Sequence, residues 1–212
     1  NTMNPHAGEK GRDFNEMSAW RQQEYESKAK QDLSVYAVKN PKGEMMYTLN
    51  WLPPYDWQWM FGFLGARAVT GIETVTHDYY ERSFACEGHQ GIFRVTPDIA
   101  THTLTVTLSP GLIPVAQPCL ERIERLFDLA CNPQHIAETL GDLGAARPGL
   151  RLPGAMDAYE QGVRAILGQL VSVAMAAKLA SRVVALCGEP VADCPGYLCF
   201  PTPQALAAAD PL

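Results

Sequence analysis

The chain has 212 residues, of which 47% are hydrophobic and 19% charged, and a formal net charge of −6. This length and apolar content predict one or two globular domains with a real core, and no apolar run is long enough to cross a membrane. The negative charge argues against a general affinity for polyanions, and the polar first residues lack the apolar core of a signal peptide, so we expect a cytoplasmic protein.

The first 45 residues are polar and carry no sustained apolar face. Residues 14–31 could form a weak helix, in which Trp20 and Tyr25 are the only large anchors. We therefore expect a tag, a read-through from upstream sequence or a disordered leader in this segment rather than a domain.

Residues 46–131 show the pattern of an α+β domain. Helices are predicted over 56–68, with Trp57, Met60, Phe61 and Leu64 on the apolar stripe, and over 115–130. Strands are predicted over 47–51, 73–76, 79–86, 91–96 and 101–108, with turns at Gly88, Pro97-Asp98 and Pro110-Gly111. The loops are too short for parallel crossovers, so we expect an antiparallel sheet with helical cover on one face.

The strand signals stop at Pro133, and the remaining pattern is helical. We predict a helix over 133–143, a Pro/Gly-rich connector over 145–154 and two helices within 158–187 that are separated by a break at 169–172. A loop with three prolines follows over 189–201, and another helix begins at Thr202 or Pro203.

The break between the two apolar helices is the most informative stretch. Ser172 is placed to cap the second helix, because its hydroxyl can accept from the free N–H groups of the first turn. Leu170 lies in a turn too short to let it point inward easily, and an exposed apolar tip beside a helix N-terminus suits a wedge in a base stack. The alternative is a plain joint in which the leucine folds back onto the helices.

Cysteine and charge patterns add two expectations. The six cysteines form no C-x-x-C pair, and Cys131 and His135 lack a second ligand pair, so we expect free thiols and no metal. Residues 147–182 carry five basic and two acidic side chains, which fits a few local phosphate contacts or a solvated surface. The five cations are Arg147, Arg151, Arg164, Lys178 and Arg182.

Several long, ungapped motifs carry a family resemblance. They are MYTLNW (46–51), PPYDW (53–57), RLFDLACNPQ (125–134), LGAARPGLRLPG (143–154), EQGVRAILGQLVSVAMAAKL (160–179) and CFPTPQ (199–204). From Met46 onward the chain resembles the AlkA-type 3-methyladenine DNA glycosylases of the helix-hairpin-helix superfamily.

This resemblance implies a domain organisation. We expect a leader over 1–45, a TBP-like α+β domain with an antiparallel sheet and two helices over 46–133, a helix and connector over 134–157, and the start of an all-α glycosylase domain over 158–212. Leu170 matches the intercalating residue of the family, Gln169 precedes it in the same loop, and Phe63 matches an aromatic residue of the base pocket. Ser172 belongs to the same DNA-binding loop.

The resemblance also implies a function, which is hydrolytic excision of flipped, alkylated bases from double-stranded DNA without a cofactor. The family's catalytic aspartate follows a glycine hairpin for which residues 1–212 have no counterpart. We therefore expect this aspartate beyond Leu212, and no catalytic residue is assigned within the chain. Asp157 is interpreted as a helix cap and Glu160 as a first-turn acid favoured by the helix dipole. We expect a monomeric fragment that is inactive alone and touches neither membrane nor metal.

Two other functions remain open from the sequence. One is a non-catalytic DNA-binding or damage-sensing module, and the other is a generic α+β interaction domain. An oxidised-guanine glycosylase is disfavoured, because the loop reads Leu-Val-Ser and is not rich in asparagine.

Overall fold

The computed structural model describes residues 37–209. The helix predicted over 14–31 lies outside the described part of the chain. Leu212, beyond which the catalytic aspartate is expected, also lies outside it. Six strands form one antiparallel sheet, namely β1 (Val38–Lys39), β2 (Met45–Asn50), β3 (Glu73–Val75), β4 (Tyr80–Cys86), β5 (His89–Asp98) and β6 (Thr103–Leu108). Their order in the sheet is β1-β2-β6-β5-β4-β3.

One face of this sheet forms the core. Tyr47, Val106, Val95 and Tyr80 are register partners across four adjacent strands, and all four are buried. Because side chains alternate along a strand, this row defines the face against which the helices pack. The predicted antiparallel sheet and its apolar face are confirmed.

Two helices cover that face. Helix α1 (Trp57–Ala66) begins after Asp56, whose carboxylate accepts from the Trp59 N–H at 2.8 Å. Helix α2 (Ala116–Leu126) follows a short 3-10 helix (Pro110–Val115). The α+β class with two covering helices is therefore confirmed.

The structure corrects several predicted boundaries. The second helix ends at Leu126 and not at residue 130, because Asp128 adopts a positive φ of 51° in the turn that follows. Pro97-Asp98 lies in β5, and the reversal comes later, near His102 at φ 55°. Pro110-Gly111 begins the 3-10 helix, where the prediction has a turn.

The sheet extends into the segment predicted as a leader. Strand β1 pairs Val38 with Met46 and Lys39 with Met45. Asn40 organises the connecting turn, because its side-chain oxygen accepts from the N–H groups of Lys42 and Glu44.

The rest of the described chain is mainly helical. Its helices are α3 (Pro133–Leu140), α4 (Asp142–Ala145), α5 (Ala158–Leu167), α6 (Val173–Cys187) and α7 (Pro203–Ala207). The predicted helix over 133–143 is broken at Gly141, where φ is 52°. The predicted loop over 189–201 contains a small antiparallel pair, β7 (Glu189–Pro190) with β8 (Leu198–Cys199).

The hairpin formed by α5 and α6 packs against the sheet domain. Val69 and Ile72, which follow α1, form a buried cluster with Ala180 and Val184 of α6. The Thr70 N–H also donates to the Ser181 hydroxyl at 2.9 Å. The hairpin is thus fixed beside the carboxyl end of α1, the end closer to Phe63.

Candidate nucleic-acid interface

The wedge loop, residues 168–172, joins α5 to α6 as the sequence predicts. Leu170 is fully exposed, at 106% relative accessibility, and its backbone lies in the left-handed region at φ 60°. That conformation costs a leucine about 1–3 kcal/mol, and such strain is typically retained at functional sites. The predicted exposure of this leucine is therefore confirmed.

The other predicted residues of the loop hold its shape. The Ser172 hydroxyl accepts from the Met175 N–H at 3.2 Å, which confirms the predicted cap of α6. The Gln169 N–H donates to the Ile166 carbonyl at 3.2 Å, and the residue is exposed beside Leu170. Gln169 and Leu170 therefore share one protruding turn.

A cleft of about 310 Å³ lies beneath this loop. Gly168 and Val171 of the wedge loop line one side of it, and Phe63 and Arg67 of the α1 region line another. The connector before α5 contributes Met156. The structure thus brings Phe63 and the wedge loop, which are about a hundred residues apart in the sequence, to one cleft.

The ring of Phe63 is covered by neighbours one helical turn away on each side. Trp59 stacks on it with centroids 5.3 Å apart and an interplanar angle of 29°, and the Arg67 guanidinium carbon lies 3.7 Å from its centroid. Trp59 and Arg67 stand at positions i−4 and i+4 from Phe63, the spacing at which side chains of a helix contact each other. A cation thus lies against the Phe63 ring.

The other tryptophan of this helix has a structural role. Trp57 is buried and packs with Tyr55 and Phe127, as the sequence predicts. Trp59, in contrast, stacks on Phe63, which lines the cleft. Arg147 lies 5.9 Å from the Trp59 ring and pairs with Asp56 at 3.0 Å.

Four charged side chains form a buried ion cluster on the cleft floor, namely Glu73, Arg82, Glu160 and Arg164. Glu160 pairs with Arg82 at 2.6 Å and with Arg164 at 3.1 Å, and Arg164 also reaches Glu73 at 3.2 Å. The interpretation of Glu160 as an ordinary first-turn acid is therefore incomplete, because it is a buried partner of two arginines.

The charges of the cluster shift the pKa values of Glu160 and of the neighbouring Tyr80. Burial alone would raise the pKa of Glu160, but the charges and hydrogen bonds of Arg82 and Arg164 outweigh it and hold that pKa below its ordinary value. Burial and the nearby Glu73 carboxylate raise the pKa of Tyr80, so its phenol stays protonated and donates to Glu73 at 2.7 Å. Glu160 therefore stays ionised at neutral pH and is engaged in pairing.

Sequence reasoning missed this cluster, although two signals were present. Glu160 and Arg164 have the i, i+4 spacing of an ion pair on a helix. Arg82 shares the inward face of β4 with Tyr80, so it is a charged residue at a core position that requires a partner.

The carboxylates that line the cleft are all engaged. Asp157 caps α5 by accepting from the Glu160 N–H at 2.8 Å, which confirms the predicted cap, and its other oxygen lies 3.7 Å from Arg122. Glu73 also accepts from the Val69 N–H at 2.9 Å. The described residues thus place no unpaired acid in the cleft, and the catalytic aspartate expected beyond Leu212 stays a prediction.

Two of the five cations of the basic segment over 147–182 are used inside the protein. Arg151 is buried and donates to the backbone carbonyls of Leu52 and Asp128, and Arg164 belongs to the ion cluster. Lys178 and Arg182 are the exposed cations of α6. The interpretation of all five cations as a solvated or phosphate-binding surface is therefore wrong for Arg151 and Arg164.

The six cysteines are free thiols, as expected. Within residues 37–209, no group of three or more His, Cys, Asp or Glu side chains is arranged to hold a metal ion. No described helix combines the length and the apolar character that a membrane crossing requires.

Solved structures share this fold. A 3-methyladenine DNA-glycosylase from Archaeoglobus fulgidus superposes with a TM-score of 0.63 at 20% identity, over 75% of this chain and 57% of that one. A structure of MBOgg1 in complex with a low-affinity DNA ligand gives a TM-score of 0.56 at 15% identity, over 82% and 56%. At these low identities the superpositions show that the fold is shared.

Sequence comparison then places the chain in a family. The model of the AlkA N-terminal domain matches residues 46–157, and the chain belongs to this family. DNA-3-methyladenine glycosylase 2 of Escherichia coli (strain K12) is 66% identical over 166 residues, which are 78% of this chain and 59% of that protein. A probable bifunctional transcriptional activator/DNA repair enzyme AlkA of Mycobacterium tuberculosis is 37% identical over 168 residues, or 74% and 33%. The chain thus spans less than two thirds of these relatives.

Proposed function

We propose that this chain belongs to a DNA repair glycosylase that removes alkylated bases from duplex DNA, and that it supplies the element that opens the base stack. The observation that carries the proposal is Leu170, a fully exposed leucine held at positive φ above a cleft that contains Phe63. An apolar side chain inserted between base pairs unstacks them and fills the gap left by a flipped nucleotide.

The cleft chemistry suits a cationic base. Electron-rich ring faces attract cations, and the Arg67 guanidinium over Phe63 shows that this ring accepts one. Alkylation at a ring nitrogen gives a purine base a positive charge. We therefore assign the flipped, alkylated base to the Phe63 side of the cleft.

The loop also has polar functions in this proposal. In this proposal Gln169 contacts the strand opposite the flipped base, and the N-terminus of α6 behind Ser172 favours a nearby phosphate. Because few exposed cations flank the loop, the contact with DNA is local. The partner is double-stranded DNA, the protein acts as a cytoplasmic monomer, and neither a cofactor nor a metal takes part.

One observation favours a second candidate, a DNA-binding or damage-sensing role without catalysis. Every carboxylate lining the cleft is paired, so the described residues offer no free acid to stabilise the sugar cation of base excision. We expect the 212-residue polypeptide to bind damaged duplex without releasing 3-methyladenine from alkylated DNA. Release of the free base by the purified polypeptide would favour the catalytic role for this chain itself.

The binding test compares two leucine variants. The preference for a duplex with an abasic-site analogue over an intact duplex is measured by fluorescence anisotropy for the wild type, Leu170→Ala and Leu186→Ala. Leu186 lies on the same hairpin and is 72% exposed, so it is a matched control. Leu170→Ala should lower the preference about tenfold, since burying a leucine is worth about 1.5–3 kcal/mol. Equal preference in all three proteins would refute the proposal.

A further inference from the structure

The side chain of Arg164 joins the helix that carries the wedge loop to the helix that carries Phe63. Its guanidinium donates to the Arg67 carbonyl at 2.6 Å, to Glu160 at 3.1 Å and to Glu73 at 3.2 Å. The side chain is only 17% exposed. One planar group thus makes three directed contacts, a geometry that a guanidinium provides.

The acceptors of Arg164 are themselves held in place. Glu73 also accepts from the Tyr80 hydroxyl at 2.7 Å and from the Val69 N–H at 2.9 Å. The Arg67 carbonyl belongs to the residue that ends α1, one turn beyond Phe63. Arg164 is therefore fixed to the sheet domain at the point where the aromatic helix stops.

The backbone of Arg164 leads directly into the wedge loop. Its carbonyl accepts from the Gly168 N–H at 3.0 Å, and this bond closes α5 two residues before Leu170. A second contact, from the Thr70 N–H to the Ser181 hydroxyl, restrains α6 on the far side of the loop. The hairpin is thus held at both helices, and Arg164 is the contact nearer the loop.

We propose that Arg164 is a positioning residue for the wedge, which holds Leu170 at a fixed distance and orientation from the Phe63 side of the cleft. The inference rests on the proposed function, because it assigns Leu170 to insertion in DNA. Without the Arg164 side chain, the loop end of the hairpin loses its contact with α1, while Arg82 still holds Glu160 and the Thr70 N–H still holds Ser181. We therefore expect Leu170 to shift relative to the Phe63 side of the cleft, so that the leucine and the flipped base are accommodated together less well. Small displacements of this kind are costly at sites that depend on orientation.

The cluster retains enough partners for the variant to fold. Without the Arg164 side chain, Glu160 keeps both bonds to Arg82, and Glu73 keeps Tyr80 and the Val69 N–H. Arg164→Met therefore removes the connection to α1 without leaving either carboxylate alone. Circular dichroism and thermal unfolding of the variant check that the fold persists.

A double-mutant cycle tests the proposal on the 212-residue chain. The preference for abasic-analogue duplex over intact duplex is measured for the wild type, Leu170→Ala, Arg164→Met and the double variant. If Arg164 acts through the wedge, each single substitution lowers the preference about tenfold and the double variant is no worse than either. A purely structural role predicts no such coupling to position 170.

The outcomes separate the two proposals. If Leu170→Ala has no effect, both the proposed function and the inference fail. If Leu170→Ala lowers the preference but Arg164→Met leaves it unchanged, or the two effects add, only the inference fails. Arg94→Met, which removes the 2.7 Å pair with Glu81 elsewhere on the sheet, is the matched control and should keep the wild-type preference.

Two more variants keep the test decisive if Arg164→Met unfolds. Arg164→Lys retains the charge but concentrates it on one nitrogen, so it should lower the preference by a smaller factor than Leu170→Ala does. Ser181→Ala removes the second contact of the hairpin with little change in volume, and it should lower the preference in the same direction by a smaller factor. Wild-type preference in both variants would overturn the inference.

Discussion

Arg82 and Glu160 form a bidentate ion pair, with nitrogen–oxygen distances of 2.6 and 3.3 Å, although 78 residues separate them in the chain. Both side chains are buried, and the pair joins strand β4 to helix α5. The sheet domain and the hairpin that carries the wedge loop are thus connected through charge as well as apolar packing.

Removal of one partner of this pair should strongly destabilise the fold. Arg82→Met leaves the buried Glu160 with Arg164 alone, and breaking a buried pair costs about 3–5 kcal/mol. The free energy of unfolding in urea measures the loss. The control Arg94→Met removes a pair in which the arginine is half exposed, and Glu81 keeps the hydrogen bond from the Tyr197 hydroxyl, so this variant should lose less stability than Arg82→Met. An equal loss in the free energy of unfolding for the two variants would contradict the assignment of Arg82 to a stabilising buried ion pair.

The same carboxylate should make stability depend on pH in the acid range. In the folded protein the pKa of Glu160 is lowered from its ordinary value of 4.5. The contribution of ionised Glu160 to the free energy of unfolding is therefore complete above pH 4.5 and is lost as the pH falls through the folded pKa. Glu160→Gln should therefore be less stable than the wild type at pH 7, and the difference should shrink on acidification below about pH 4.5.

The control for the pH series is Glu138→Gln on α3, an exposed carboxylate that accepts a hydrogen bond from Gln134. Its stability curve should run parallel to that of the wild type. A constant difference between wild type and Glu160→Gln from pH 7 to pH 3 would show that the ionised form of Glu160 does not stabilise the fold.

Much of the architecture could be predicted from local patterns. The alternation of Leu104, Val106 and Leu108 predicts β6, and the caps Asp56, Asp157 and Ser172 mark the starts of three helices within one residue. Exposure of Leu170 also follows from the sequence, because a short turn between helices leaves little room for an inward side chain.

The rest depends on contacts between distant segments. The side chains of Arg151 and Arg164 point inward because their acceptors, carbonyls and carboxylates, lie in distant segments of the chain. A count of charges along the sequence could not show this orientation. The same holds for Arg82 and Glu160. Strand β1 was missed because two residues carry too little periodicity to reveal a strand.

The cation over Phe63 should compete with a charged ligand. Arg67→Met exposes the ring face and removes a positive charge, so binding of 7-methylguanosine, which is cationic, should tighten by about two- to fivefold, in line with about 0.5–1 kcal/mol for a cation on an exposed ring. Binding of neutral guanosine should change less. Tryptophan fluorescence, which includes the adjacent Trp59, gives the readout.

Arg147→Met is the matched variant for that experiment. Arg147 lies over Trp59 at 5.9 Å and leaves the Arg67 face of Phe63 covered, so its removal should not affect nucleoside binding. Weaker binding of 7-methylguanosine by Arg67→Met would mean that the guanidinium stacks with the ligand and does not compete with it.

Insertion of Leu170 into DNA is the central claim, and 2-aminopurine fluorescence measures it most directly. This base is quenched when stacked and brightens when a wedge separates it from its neighbour. A duplex with 2-aminopurine beside an abasic analogue should brighten on saturation with wild-type protein and with Leu186→Ala. The 2-aminopurine fluorescence should stay quenched at saturation with Leu170→Ala. An equal increase with Leu170→Ala, or none with the wild type, would contradict the account.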